Sequence, residues 1–331
     1  MRIILLEEEI VSVRGKKKRA TGLVAVLIFS FLMTACVSYN TNSENREVST
    51  VENGQIIENA RISFLGPEGT YTEEAAQYFF KNSSFQPKET VPDAIADLKN
   101  KTADYAVIPQ ENTLGGPVTN YIDALISEGD IYVVGEVVLP INQTLMGLPG
   151  ASIDDIRVVF SHAQGIAQSE KWRKEHMPDI PTQEMASTAA AASYVSESGD
   201  KTIAAIAAPG AAKLYGLSIL AENVQISDAN KTRFYVLAAS GLEGRSFTNA
   251  AFVATCEASR IDDIIIEIHD AGLEMVSIHD RPEGSQLGKY NYIIEVENKA
   301  GISDENIVKL EAIPEMRYLG RFNVMIKQNE N

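Results

Sequence analysis

Four stretches of this chain place hydroxyls, amides or charges directly ahead of helical patterns, and a fifth places Pro-Gly there. They are Gly66-Pro67-Glu68-Gly69-Thr70, the run from Pro109 through Glu111, Asn112 and Thr113 to Gly116, Ser161-His162-Ala163-Gln164, Ser187-Thr188, and Pro209-Gly210. Such groups donate to a small anion, and a helix N-terminus adds free N–H groups and a positive dipole end. Taken singly, Ser or Thr before a helix is an N-cap. The collection points to a site more than any member does. The four histidines, His162, His176, His269 and His279, are scattered without the HExxH or zinc-ligand spacing, so no metal is expected.

The elements that must carry these loops repeat one pattern, a short apolar strand, the polar loop, then a helix. Arg61–Leu65, Tyr105–Ile108, Arg157–Phe160 and Thr202–Ile206 read as the strands. Thr70 and Glu73 have capping-box spacing ahead of a helix with Ala75, Ala76, Phe79 and Phe80 on one face. Pro117 is expected to open the next helix, with Val118, Tyr121, Ile122 and Leu125 at helical spacing. Alternating strands and helices predict an α/β fold with a mostly parallel sheet, whose ligands gather beyond the carboxyl ends of the strands.

Residues 1–60 do not read as part of that fold. A basic run (Arg14, Lys16, Lys17, Lys18, Arg19) precedes an apolar stretch from Leu23 to Met33, and Thr34 and Ala35 lead into Cys36. This is the order of a secretory signal, too short for a comfortable membrane span. Small residues running into cysteine resemble a bacterial lipobox, which makes Cys36 the expected lipidation site and residues 1–36 the signal segment. A plain N-terminal anchor or an over-extended gene start are the alternatives. The Asn-, Ser-, Thr- and Glu-rich residues 37–60 are expected to be a solvated tether.

The loops, in their order, resemble the prephenate dehydratase family. The phrases that carry the resemblance are Gly66-Pro67-Glu68-Gly69-Thr70-Tyr71, Pro109-Gln110-Glu111-Asn112-Thr113, Ser161-His162-Ala163-Gln164, Ser187-Thr188-Ala189-Ala190 and Asn230-Lys231-Thr232-Arg233-Phe234. The resemblance implies a catalytic region over residues 61–240, two-lobed like a periplasmic binding protein. One lobe would span 61–141 with 225–240 returning to it, and the other 142–224. The implied reaction converts prephenate to phenylpyruvate, carbon dioxide and water on the route to phenylalanine, without a cofactor because aromatisation drives it.

By the same resemblance Thr232 is the catalytic hydroxyl, donating to the departing hydroxyl of the substrate. Arg233 could pair with a substrate carboxylate. Glu111, Asn112 and Thr113 would line the cleft from the first lobe, and Ser161, Gln164, Ser187, Thr188 and Ala189 from the second. His162 could be an acid or a histidine bonding its own loop, and Phe234 a contact or core. Family members often carry proline where Ala163 stands, Ile or Val where Gln110 stands, and a histidine in the segment holding Asn142 and Gln143.

Residues 247–328 read as strand, helix, strand, strand, helix, strand, the ferredoxin-like βαββαβ unit. Its position resembles the ACT domain that follows the catalytic region in this family. His279-Asp280-Arg281-Pro282 resembles that domain's regulatory Glu-Ser-Arg-Pro phrase. The matching Gly-Ala-Leu phrase is replaced by Ser259-Arg260-Ile261-Asp262, so phenylalanine feedback is not expected and a dimerisation module is the alternative. A homodimer or higher homo-oligomer is expected. Cys256 reads as an inert buried thiol.

The net charge of −16 repels phosphate backbones and argues against nucleic acid as a partner. Two rival readings remain. A tethered two-lobed protein could be a solute receptor without catalysis, and the substrate could be arogenate.

Overall fold

The computed structural model describes residues 57–328, apart from 228, 244 and 245. Cys36, the signal segment and the tether up to residue 56 lie outside the described residues. The tether as read from sequence ends too late. Ile57–Glu58 forms β1, paired in parallel with a later strand, because Ile57 has an apolar cluster to pack on.

The chain continues through β2 (Arg61–Leu65), α1 (Tyr71–Phe79), β3 (Phe80–Lys81), β4 (Ser84–Lys88), α2 (Val91–Lys99), β5 (Tyr105–Asn112), β6 (Gly116–Pro117), α3 (Thr119–Ser127) and β7 (Tyr132–Pro140). It then crosses into a second sheet through β8 (Thr144–Gly147), β9 (Val158–Ser161), α4 (Ala163–Gln168), α5 (Glu170–His176), β10 (Thr182–Glu184), α6 (Thr188–Ser198), β11 (Ile203–Ala207), α7 (Pro209–Leu214) and β12 (Ser218–Ala221). It returns to the first sheet as β13 (Lys231–Ala238).

The first sheet runs β18-β7-β13-β5-β2-β4 with β6 beside β5, and the second runs β10-β9-β11-β8-β12. Neither is mostly parallel, contrary to the sequence expectation. The strands β7 and β13, which carry the chain out of the first sheet and back, lie side by side and so run antiparallel. β13 also pairs antiparallel with β5, and β8 pairs antiparallel with β11 and β12. The helix expected to open at Pro117 begins at Thr119. The Val118 N–H bonds to the Gln110 carbonyl and keeps Gly116 and Pro117 extended against β5.

The C-terminal part contributes β14 (Asn249–Glu257), α8 (Ile261–Asp270), β15 (Glu274–Pro282), β16 (Lys289–Glu297), α9 (Asp304–Glu311), β17 (Met316–Phe322) and β18 (Val324–Ile326). Its four-stranded antiparallel sheet has the order β15-β16-β14-β17, that of two interleaved split βαβ units. Strand alternation gives the sheet two different faces. Ala250, Phe252 and Ala254 meet α8 and α9, whereas Ala251, Val253 and Ile293 share a core with α2, α3, β5 and β13. β18 leaves this sheet and pairs with β7, extending the first sheet at its edge.

Two features lock the C-terminal sheet to the first one. The Arg317 guanidinium donates to the carbonyls of Leu125 (2.8 Å) and Glu128 (3.2 Å), which the end of α3 leaves open. Gly320 lies at φ +139°, and a Cβ there would collide with the Val133 carbonyl on β7. Gly320→Ala should therefore cost at least about 3 kcal/mol, from backbone strain and forced separation of the sheets. Urea unfolding of the variant checks this, and a midpoint equal to wild type contradicts it.

Candidate active site

The site is built on the pairing of β5 with β13. Thr232 stands opposite Asn112, and Arg233 opposite Glu111. Successive residues of a strand point to opposite faces, so this two-residue step serves two surroundings. Thr232 and Asn112 are bonded on one face. Arg233 and Glu111 meet the C-terminal sheet on the other.

Asn112 is the hub of the first face and is almost fully buried. Its Oδ1 accepts from the N–H groups of Leu114 (3.1 Å) and Gly115 (2.9 Å) and from Gln164 Nε2 (3.0 Å). Its Nδ2 donates to Thr232 Oγ1 at 2.9 Å, and faces Asn230 Oδ1 at 2.8 Å and the Lys231 carbonyl at 3.1 Å. Thr113 Oγ1 donates to the same carbonyl. Because the Thr232 oxygen accepts from Asn112, its own proton is left to donate elsewhere. The Asn230 Nδ2 group is buried and makes no hydrogen bond among the described residues.

The Gln164–Asn112 bond joins the two lobes. A Cβ at Gly115 would lie 2.8 Å from Gln164 Nε2, so a larger residue there would push the Gln164 amide aside. Tyr215 donates to the Glu68 carbonyl at 2.8 Å, a second link between lobes, and Tyr71 donates to the Asn142 carbonyl where the chain crosses. A cavity of about 400 Å³ lies beside Leu114, Gly115, Gln164 and Gln168. A larger one, about 710 Å³, opens between the start of α1 and α7 and is lined by Tyr71, Asn142, Lys213 and Lys327 among others. The smaller adjoins the bonded cluster through Gln164, and we take it as the one nearer the chemistry despite its size.

The other predicted residues take up supporting positions. Ser161 is buried and donates to the Ile206 carbonyl at 2.7 Å. Ser187 caps α6 by accepting from the Ala190 N–H, Thr188 opens that helix with its methyl group near Gly165, and Ala189 is core. His162 is exposed and caps α4, its Nδ1 accepting from the Gln164 N–H at 3.3 Å. Phe234 packs in the core beneath α1. Cys256 is a free buried thiol whose pKa burial pushes up.

On the opposite face Arg233 is enclosed by carboxylates of the protein. Nε and Nη2 engage Glu136 on β7 at 2.9 and 2.6 Å, Nη1 lies 3.4 Å from Glu111, and Nη2 also bonds Glu295 on β16. The substrate carboxylate that the resemblance assigned to Arg233 would have to compete with all three. Glu295 is fully buried and also accepts from Gln110, Tyr235 and Ser277. His279 bonds Tyr121 and lies 3.7 Å from Glu111, while Arg281 holds Asp123 at 2.6 and 2.9 Å. Asp280 is exposed and Pro282 ends β15.

Glu136, Glu295 and Gln168 escaped the sequence reading, and Asn230, quoted in the phrase ending at Phe234, was given no role there. For two of them a signal existed, a glutamate set among apolar residues, Glu136 before Val137 in Tyr132–Pro140 and Glu295 between Ile294 and Val296 in Lys289–Glu297. A charge there is costly unless paired.

Burial drives the Glu295 pKa up to about 7, with Glu136 adding to the rise and Arg233 opposing it. Burial raises Glu136 as well. Burial alone would lower Arg233, but its bonds to Glu136 and Glu295 more than reverse this. Burial lowers His279. A carboxyl that holds its proton more tightly when folded stabilises the fold while protonated. For Glu295 that contribution is present below the unfolded value of 4.5 and is lost as pH rises through about 7. The stability difference between wild type and Glu295→Gln should therefore shift against wild type by on the order of 1–3 kcal/mol over this window. Denaturant unfolding at several pH values measures it, and a constant difference contradicts it.

The model of the family described as prephenate dehydratase matches residues 62–241. The chain is 31% identical over 277 residues to the prephenate dehydratase of Lactococcus lactis subsp. cremoris, covering 80% of this chain and 98% of that one. It is 34% identical over 239 residues to the bifunctional chorismate mutase/prephenate dehydratase of Neisseria gonorrhoeae, covering 71% of this chain and 66% of the longer relative. A crystal structure of prephenate dehydratase in complex with L-Phe from Arthrobacter aurescens superposes with a TM-score of 0.72 at 28% identity, covering 80% of this chain and 89% of that one. The matched span holds every phrase from Gly66 to Phe234, and with it the Thr232–Asn112 pair, so the chain belongs to the prephenate dehydratase family.

Proposed function

We infer that the chain is a prephenate dehydratase, converting prephenate to phenylpyruvate, carbon dioxide and water. The observation that carries the mechanism is the Asn112 Nδ2 to Thr232 Oγ1 bond. In the reaction the ring carboxylate leaves as carbon dioxide and its C–C bonding pair enters the ring. The ring C–O bond breaks, and the departing oxygen takes a proton to leave as water. A threonine is a weak acid, so its part is to donate a hydrogen bond to that oxygen, or to relay a proton, as charge develops there. Asn112 supports this by occupying the Thr232 lone pair and leaving the O–H free. The unpaired Asn230 Nδ2 is an adjacent donor for a substrate oxygen. The lobe-bridging bonds of Gln164 and Tyr215 would shield the cleft from water.

Thr232→Ala should lower kcat by roughly 10²-fold or more with the fold intact, and Thr232→Ser should recover part of it. The assay follows phenylpyruvate formation from prephenate. Wild-type inactivity towards prephenate, with turnover of arogenate or simple ligand binding instead, would select one of the rival readings.

The C-terminal domain is read as ACT-like, with His279, Asp280, Arg281 and Pro282 in the position of that domain's regulatory phrase. The bonds of His279 and Arg281 to Tyr121 and Asp123 favour a role in docking over amino-acid binding. Assembly as a homodimer or larger homo-oligomer belongs to the same reading. For location, the reading is export and lipid anchoring at Cys36 on the outer side of the cell membrane, and a cytoplasmic location is the alternative if the gene start is over-extended. Mass spectrometry of the chain purified from membranes should find a diacylglyceryl-modified Cys36 at its N-terminus. An unmodified chain retaining residues 1–35 would overturn the anchor.

A further inference from the structure

Arg233 and Glu111 adjoin the bonded pair Thr232 and Asn112 in sequence, and the C-terminal domain grips both. Glu295 on β16 reaches Arg233, and His279 on β15 reaches Glu111. Alternation along β16 sends Ile294 and Val296 to α8 and α9, and Glu295 to the opposite face, into the core shared with the catalytic lobe. An ion buried there is retained only with its partners in place. Glu295 has four groups aimed at its two oxygens, from Arg233, Gln110, Tyr235 and Ser277, and all four can donate. Once ionised, above about pH 7, the carboxylate accepts from all four at once.

We propose that Glu295 is a positioning residue for the reaction: by holding Arg233 from behind, it fixes the β5–β13 step that sets the Thr232 hydroxyl against the Asn112 amide. The proposal rests on the reading of Thr232 as the reacting hydroxyl. The C-terminal domain is then a structural part of the active site rather than an appendage, although none of its groups lines the cavity beside Gln164. The effect falls on kcat, because the Thr232–oxygen distance matters most as charge develops, and small misplacements are costly there.

The test uses the full chain, with wild type, Glu295→Gln, Arg233→Met and the double variant compared for prephenate turnover. Glutamine keeps the size of Glu295 but turns an amide N–H₂ towards groups that are themselves donors. The expected result is a fall in kcat of at least about tenfold for Glu295→Gln, with KM within about threefold. The double variant should be no slower than Arg233→Met, because Glu295 acts through Arg233. If Glu295→Gln fails to unfold cooperatively, Tyr235→Phe removes one donor from the same carboxylate and should show a smaller fall, again in kcat.

A kcat within twofold of wild type in a folded Glu295→Gln overturns the proposal and leaves the catalytic reading standing. So does a loss confined to KM, a pair of losses that multiply in the double variant, or an unchanged Tyr235→Phe where that variant is the one read. Wild type inactive on prephenate overturns the catalytic reading itself, and the proposal with it.

Discussion

The antiparallel register of β5 on β13 is the constraint on which the rest of the molecule turns. It sets Thr232 beside Asn112 and, one residue on, Arg233 beside Glu111. Side chains alternate across a sheet, so a one-residue slip would exchange the two faces. The polar pair would enter the buried charge network, and the guanidinium would face the cleft. The flanking apolar residues forbid that slip. Phe234 and Val236 lie beneath α1, while Tyr235 and Leu237 enter the core shared with α3 and the C-terminal sheet.

The buried charges on the rear face carry a cost that the fold accepts. One guanidinium faces three carboxylates, two of them almost fully buried. Replacing such a network with apolar residues often stabilises a protein. It spans the contact between the C-terminal sheet and the catalytic lobe, so it constrains how the two dock. The apolar contacts of Ala251, Val253, Ile293 and Leu319 hold the sheets together. They would tolerate small sliding, whereas the fork of Arg233 on Glu136 has one good geometry.

The front face is arranged differently. The lobes meet through hydrogen bonds from Gln164 to Asn112, from Tyr215 to the Glu68 carbonyl and from the Ile226 N–H to the Gln168 carbonyl. Such contacts are each worth only about 1 kcal/mol net. The crossing segments are better secured, with the Ile141 N–H on the Asn230 carbonyl and the Val224 N–H on Gln143.

Much of this protein was legible in its sequence because the information was local. Strand-loop-helix periodicity located β2, β5, β9 and β11 and the helices that follow the polar loops, and Thr70 and Ser187 cap their helices as hydroxyls do at such positions. The order of the loop phrases marked the family and named Thr232, Asn112 and Gln164, which the fold brings into one bonded cluster. What sequence could not decide was which strands would be neighbours. A mostly parallel sheet was the expectation, and the return of β13 between β7 and β5 made it mixed. The extended turn at Pro117 and the strand at Ile57 depended on partners at Gln110 and at Phe80–Lys81. Arg233 shows the limit most clearly. Its sequence neighbours suggested a ligand carboxylate, but strand parity turned it to the rear, where Glu136 and Glu295, 97 and 62 residues away along the chain, close around it. Local chemistry is written in neighbouring residues, whereas the partner of a buried charge is settled only when distant strands pack.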